Sequence, residues 1–198
     1  MKKGWLILIP IVAVVFFMVQ SGGSDEEYAE DIEKFWNDRG DFFRTSDASP
    51  FVQKDVEYKS IEYYPAKEDF KVKGTLKRFS KRETLKLANS DGTSTSYLKF
   101  ANVEFKINGI ECSLLVLKAL GFGNQYLLAF GDETSGNATY GGGRYLDIVI
   151  GKSDQVELDF NKTYNPYCAY FDDFTCPLPP RENLLDVAIE AGEKNYPY

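Results

Sequence analysis

The residues best suited to chemistry lie between Phe130 and Glu193, where charged and amide side chains alternate with glycine, proline and tyrosine. Three consecutive glycines precede Arg144, and such a loop could bring backbone amides to an anion that the guanidinium then clamps. No Lys-Ser/Thr pair follows the glycines, so the segment is not a P-loop. The alternative is a glycine-rich turn into a strand, with Arg144 paired to Asp132 or Asp159.

Several polar residues of this region share one property: each lies next to residues that the pattern predicts to be buried. A buried polar group without a hydrogen bond costs about 1–3 kcal/mol, so we expect these side chains to converge on one site, with Arg144 as the shared donor. The site would be either the floor of a pocket for a carbohydrate-like ligand or a buried hydrogen-bonded network with a structural role. The candidate ligand-binding residues are Tyr140, Arg144, Asp159, Asn161, Asn165, Glu182 and Asn183.

The complete absence of histidine restricts the available catalysis. It removes Ser-His-Asp and Cys-His activation and every histidine zinc site, and three cysteines are too few for an all-cysteine zinc site. We therefore expect no cofactor and no metal; a calcium site at Asp172 and Asp173 is a minor alternative that lacks the usual loop sequence. Paired carboxylates remain as catalytic groups. The available acids are Asp132, Asp147, Asp159, Glu182 and Glu193.

Two interpretations of function from different classes stay open, and whether the protein is an enzyme is undecided. One is a non-catalytic ligand-binding or envelope-structural module, and the other is a hydrolase that acts on a glycan-like substrate. Two carboxylates facing each other across a cleft at about 5–10 Å would favour the hydrolase. Carboxylates held by Arg144, Arg181 or backbone amides would favour the module.

The three cysteines divide into a pair and a single thiol. Cys168 and Cys176 close a nine-residue segment, and a disulfide between them would contribute about 2–3 kcal/mol in an exported protein. Cys112 lies on the buried face of a predicted strand and is expected to be an ordinary core thiol.

The composition indicates one folded domain. The chain has 198 residues, 43% of them hydrophobic, and its net charge of −7 comes without any cluster of basic residues. Phosphate recognition needs a basic face, so nucleic acid is excluded as a partner. A small-molecule or glycan ligand remains open.

The N-terminus carries the features of an export signal. Lys2 and Lys3 precede an apolar run at residues 5–19, whose helical length of about 22 Å falls short of the ~30 Å hydrocarbon layer. Residues 1–23 are therefore predicted to be a signal peptide or an N-terminal anchor that holds residues 5–19 in the cytoplasmic membrane. Residues 24–198 would form one β-rich domain on the periplasmic or extracytoplasmic side, or a secreted domain after cleavage.

One amphipathic helix is predicted at residues 25–43. Ser24 and Glu27 match a capping box, with Ser24 as the N-cap. Its apolar residues, which recur at helical spacing and would form its buried face, are Ile32, Phe35, Trp36 and Phe43.

The rest of the chain alternates with a period of two. Residues 103–107 and 110–116 flank Asn108-Gly109, which supplies the two positive φ angles of a type I′ hairpin turn. Further strands are predicted at residues 145–150 and 185–191, with a helix as the alternative for the second segment. About eight antiparallel strands and one helix predict a mainly β fold, either a barrel or a sandwich.

Four linked motifs resemble a known family. They are Thr-Tyr-Gly-Gly-Gly-Arg-Tyr-Leu-Asp at 139–147, Asp-Phe-Asn-Lys-Thr-Tyr-Asn-Pro-Tyr-Cys-Ala at 159–169, Cys-Pro-Leu-Pro-Pro-Arg-Glu-Asn at 176–183 and Ala-Gly-Glu at 191–193. They are similar to the bacterial and archaeal domain of unknown function 1684, over roughly residues 28–196. Trp36 and Arg39 are spaced one residue closer than in the family's Trp-x-x-x-Arg element. The resemblance implies no established reaction or ligand.

Overall fold

The computed structural model of the protein describes residues 8–121 and 125–197, with side chains from residue 25 onward. Helix α1 spans Leu8–Thr45, and the short helix α2 spans Pro50–Gln53. Eight strands follow among the described residues: β1 Lys71–Arg78, β2 Thr84–Ala88, β3 Ser94–Ile107, β4 Ile110–Ala119, β5 Tyr126–Leu127, β6 Ala129–Phe130, β7 Arg144–Tyr145 and β8 Gln155–Asp159. Short 3-10 turns lie at Glu68–Phe70, Phe160–Lys162, Tyr167–Ala169 and Arg181–Asn183.

All strand pairs are antiparallel, and six strands form one sheet. β4, β3 and β1 lie side by side, β5 and β8 form the outer edges, and β2 pairs with the first part of β3. β6 and β7 form a separate two-stranded ladder. The prediction of a mainly β antiparallel fold with one N-terminal helix is confirmed. The path from β5 to β8 is open, so the described residues form no closed barrel.

The hairpin between β3 and β4 has the predicted turn. Asn108 and Gly109 have φ angles of 51° and 78°, and Ile107 pairs directly with Ile110. β4 is apolar on both faces because it lies between two groups of buried side chains. Leu114 and Val116 face the main core, whereas Leu115 and Leu117 pack beneath β2.

Helix α1 is longer than predicted. Its backbone is already helical at Leu8, so Ser24 is an interior residue and not the N-cap; this corrects the predicted helix start. Of the predicted buried face, Ile32, Trp36 and Phe43 are buried, whereas Phe35 is only half-buried. Phe43 reaches a second, aromatic cluster that lies between α1 and the C-terminal loops.

The proposed export segment falls largely outside the described part. Residues 1–7 are not described, and no side chain before residue 25 is described. Within the described residues, no helix combines the length and the apolar content that crossing a membrane requires.

The strands predicted at residues 145–150 and 185–191 differ from the structure. Of the first, only Tyr145 belongs to a strand, β7, and Val149 is 92% exposed. The second buries alternate side chains as predicted, but it forms no strand. Carbonyl groups near its end accept hydrogen bonds from the Arg144 guanidinium instead of from a neighbouring strand.

Candidate functional site

A glycine turn places Arg144 inside the protein. The backbone nitrogen of Gly143 donates to the carbonyl oxygen of Tyr140 at 3.1 Å, and the φ of Gly143 is +84°. A Cβ at this position would lie only 2.6 Å from the carbonyl oxygen of Phe130. The glycine run is therefore a tight turn into β7, where only glycine fits without displacement.

The Arg144 guanidinium joins Asp132 to the C-terminal segment. Its Nη2 atom donates to Oδ2 of Asp132 and to the carbonyl oxygen of Ile189, both at 2.8 Å. Its Nη1 atom donates to the carbonyl oxygens of Ala191 and Glu193. The Arg144 and Asp132 side chains are both 0% exposed, so this ion pair is the centre of a buried hydrogen-bonded network.

Asp159 and Asn161 form a second group, which ties β8 to helix α1. The Tyr28 hydroxyl donates to Oδ1 of Asp159 at 2.7 Å, and Nδ2 of Asn161 donates to the Tyr28 hydroxyl oxygen at 2.9 Å. The amide of Asn161 also bonds both backbone groups of Lys67. Burial, together with the Asp159 carboxylate, raises the pKa of Tyr28 far above its usual value.

Asn183 forms a third group, between β4 and β6. Its Oδ1 atom accepts from the backbone nitrogen of Leu115 at 2.6 Å, and its Nδ2 atom donates to the carbonyl oxygens of Leu115 and Ala129. Asn183 thus takes the place of a backbone segment between β4 and β6. The adjacent Glu182 side chain is exposed.

The seven candidate residues therefore do not form the single cluster expected from the sequence. Nη1 and Nη2 of Arg144 bond to backbone carbonyls and Asp132 and to none of the other six among the described contacts. Its Nε atom has no hydrogen-bond partner in the described structure. Asparagine amides match the backbone's own donor and acceptor, and the amides of Asn161 and Asn183 each bond to a nearby backbone segment. Tyr140 lies apart from these groups, with its hydroxyl 3.7 Å from Sγ of Cys168.

Asn165 belongs to a network around Glu193. The carboxylate of Glu193 is 0% exposed and accepts from Nε of Arg39 at 2.8 Å, from the backbone nitrogen of Asn165 at 2.6 Å and from the Tyr170 hydroxyl at 2.7 Å. Burial disfavours the charged guanidinium, but the Glu193 carboxylate outweighs burial and raises the pKa of Arg39. Burial and the same carboxylate raise the pKa of Tyr170.

A cavity of about 380 Å³ lies beside this network and is called the tyrosine pocket here. Arg39 and Asn165 line it together with Asp147, whose Oδ1 atom accepts from the Tyr164 hydroxyl at 2.8 Å. Its aromatic walls contain two edge-to-face pairs, Tyr145–Tyr164 and Tyr167–Phe174. The remaining lining residues are Pro166, Thr175, Cys176 and Pro177.

Two polar atoms of residues that line the tyrosine pocket have no hydrogen-bond partner in the described structure. They are Nη2 of Arg39, a donor, and Oδ1 of Asn165, an acceptor. Neither atom has surface that a water molecule can reach, and Asn165 as a whole is 0% exposed, so both atoms lie beneath the pocket surface. An unsatisfied buried group is unfavourable, so this part of the network is less well satisfied than the rest.

The Cys168 and Cys176 thiols are adjacent but not bonded. The backbone nitrogen of Cys168 donates to Sγ of Cys176 at 3.2 Å. A hydrogen bond from the Cys176 thiol lowers the pKa of Cys168 to about 6, and the same contact raises the pKa of Cys176. Cys112 lies elsewhere, half-buried, with a pKa raised by burial. The disulfide between Cys168 and Cys176 stays a prediction.

The acids considered for catalysis are mostly occupied by other contacts. Asp132 is held by Arg144, Asp159 by Tyr28, and Glu193 by Arg39. Asp147 is the one carboxylate among the residues that line the tyrosine pocket. Asp173 of the considered calcium site forms an ion pair with Lys54.

Sequence reasoning missed most of the tyrosine pocket. Arg39 comes from helix α1, whereas Asp147, Tyr164 and Cys176 come from three separate loops. The signal that could have found it is the combination of Arg39 on the buried helix face with the tyrosines of the 139–147 and 159–169 motifs.

The fold defines a mainly β protein with an open antiparallel sheet and a pocket built from loops. The chain belongs to the family described as "Protein of unknown function (DUF1684)", whose model matches residues 56–194. It is also 30% identical to an uncharacterised protein of Haloarcula marismortui, known from a solution NMR structure. That match covers 85% of this chain and 95% of the other, with a TM-score of 0.62. A comparison with curated proteins gives no match.

Proposed function

We propose that the protein is a non-catalytic module that binds a polyhydroxylated, glycan-like ligand in the tyrosine pocket. The observation that carries the proposal is a cavity whose lining combines aromatic rings with the polar side chains of Asp147 and Thr175. Sugar hydroxyls can exchange hydrogen bonds with these polar side chains. Aromatic rings provide apolar surfaces for the carbon-bound hydrogens of a sugar ring. The volume of about 380 Å³ lies within the usual range for small-molecule sites.

The hydrolase alternative receives less support from the geometry. A glycosidase needs two carboxylates on either side of the scissile bond. Asp147 alone supplies a carboxylate to the lining of the tyrosine pocket, and its Oδ1 atom already accepts from Tyr164. The Glu193 carboxylate is fully buried and accepts from three donors, so it offers no free surface to a substrate in the pocket.

Replacing Tyr167 by alanine should weaken sugar binding by about tenfold, which corresponds to ~1.4 kcal/mol. The probes are the β-1,4-linked trisaccharides of glucose and of N-acetylglucosamine, titrated calorimetrically into the full chain. Tyr126→Ala is the matched control, because Tyr126 is also a half-buried tyrosine with an aromatic neighbour but lies outside the tyrosine pocket. Equal affinity of the two variants, or no saturable binding of either sugar, would contradict the proposal.

We further propose that residues 1–23 export the domain and leave it at the outer face of the cytoplasmic membrane or release it. The two lysines before the apolar run support an orientation with the N-terminus inside. Alkaline phosphatase fused after Tyr198 should therefore be active in cells. The same fusion without residues 1–23 is the control and should be inactive. A stable but inactive full-length fusion would show that the domain stays in the cytoplasm.

A further inference from the structure

Cys168 and Cys176 form a pair of buried thiols at the wall of the tyrosine pocket. Only Cys176 belongs to the residues that line the pocket, whereas Cys168 contacts the Tyr140 hydroxyl. The two cysteines are almost equally buried, at 6% and 7% exposed, so they differ in their contact with the pocket and in their hydrogen-bond donors. This asymmetry is what a pair of exchanging thiols requires: one sulfur that a partner can reach and one that leaves easily.

We propose that Cys168 and Cys176 form a thiol–disulfide exchange site that reacts with small thiols and disulfides entering through the tyrosine pocket. The proposal does not rest on glycan binding. It differs from a purely structural disulfide, because it requires that the bond open and close in the folded protein.

The loop that carries the cysteines is well held in the dithiol form. The backbone nitrogen of Ser90 donates to the carbonyl oxygen of Cys176 at 2.9 Å, and the Ser90 hydroxyl accepts from the Cys176 nitrogen at 3.1 Å. Thr175 donates to Asp91 at 2.8 Å, and Lys54 pairs with Asp173. The bond between the cysteines is therefore not needed to keep this loop in place, so it can be reduced without unfolding the domain.

The hydrogen bonds at Cys168 favour its departure as a thiolate. The Cys176 thiol and the Tyr140 hydroxyl both donate towards its sulfur, and they lower the pKa of Cys168 to about 6. A thiol with a low pKa is a fast leaving group, and a stabilised thiolate makes the corresponding disulfide easier to reduce.

The exchange balances with glutathione, a small thiol, as the co-reactant. A glutathione thiolate attacks Sγ of Cys176 from the pocket, the Cys168–Cys176 bond breaks, and Cys168 leaves as a thiolate. A second glutathione thiolate then attacks the glutathione sulfur of the mixed disulfide and releases Cys176, which takes up a proton. The protein disulfide gains two electrons, and two glutathione molecules are oxidised to their disulfide. Oxidation of the protein follows the same steps in reverse.

The first test is a redox equilibrium of the folded full chain with glutathione, followed by mass analysis of the trapped thiols. We expect about 1 mM oxidised glutathione to form the Cys168–Cys176 bond and about 10 mM reduced glutathione to reopen it under native conditions. The Tyr140→Phe variant should favour the disulfide about threefold more, because it loses a donor to the thiolate. A bond that opens only in denaturant, or a pair that never forms a bond, would overturn the proposal.

The second test separates the two sulfurs. In a Cys112→Ser background, Cys168→Ser should capture glutathione on Cys176 at least about tenfold faster than Cys176→Ser captures it on Cys168. Equal rates, or faster capture on Cys168, would overturn the assignment of Cys176 as the exchanging sulfur. The redox equilibrium of the unsubstituted chain tests the proposal even where a serine variant folds poorly.

Discussion

Replacement of Arg144 by methionine will lower the free energy of unfolding by about 3–5 kcal/mol, because it leaves the buried Asp132 carboxylate without its partner. It also removes the donors that hold the carbonyl oxygens of Ile189, Ala191 and Glu193. In a domain of this size each kcal/mol lowers Tm by roughly 2–4 °C, so the loss is easily measured by thermal or urea unfolding.

Two further variants make this prediction specific. Arg181→Met removes an exposed arginine from the same C-terminal region and should change the stability by less than about 0.5 kcal/mol. Asp132→Asn, added to Arg144→Met, removes the unpaired charge and should restore part of the lost stability. A stability of Arg144→Met within about 1 kcal/mol of the unsubstituted chain would contradict a structural role for Arg144.

Replacing Gly192 by alanine should destabilise the domain by about 2–5 kcal/mol, from backbone strain and overpacking together. Gly192 has a φ of +74°, and a Cβ there would lie 2.6 Å from the carbonyl oxygen of Thr163 and 2.9 Å from that of Phe160. Both obstacles are backbone atoms, so the chain itself must move. Since Glu193 follows directly, the displacement should also disturb the Arg39–Glu193 pair and weaken ligand binding.

Gly92→Ala is the matched control for this effect. Gly92 has a similar φ of +80°, but no atom lies within 4 Å of the added Cβ. Its substitution should cost only the backbone strain, about 1–2 kcal/mol. Equal losses for Gly92→Ala and Gly192→Ala in urea unfolding would show that the close packing around Gly192 contributes nothing.

The parts of the fold that the sequence predicted well depend on local interactions. The β3–β4 hairpin follows from Asn108-Gly109, and the buried face of α1 follows from helical spacing. Residues 185–191 show where this reasoning ends. Their alternating burial was predictable, but a side chain that lies 45 or more positions earlier bonds their carbonyl groups, and no periodicity reveals such a partner.

The same limit explains why the candidate site was only partly predicted. The motif residues Arg144, Asn161 and Asn183 bond to separate backbone segments, so their polar character indicated buried structure and not a shared pocket. Asn165 is the candidate residue that lines the tyrosine pocket. Its neighbour Arg39 comes from α1, and contacts between segments so distant in sequence leave no spacing signal.

The central claim is that ligands bind in the tyrosine pocket, whereas the buried hydrogen-bonded network around Arg144 has a structural role. Amide chemical shifts of the full chain, followed by NMR during titration with the β-1,4-linked trisaccharide of N-acetylglucosamine or of glucose, test it most directly. The account predicts saturable shifts concentrated at Asp147, Tyr164, Asn165 and Tyr167, with the Arg144 amide little changed. Shifts centred on the glycine turn and Asp132, or no shifts with either sugar, would contradict it.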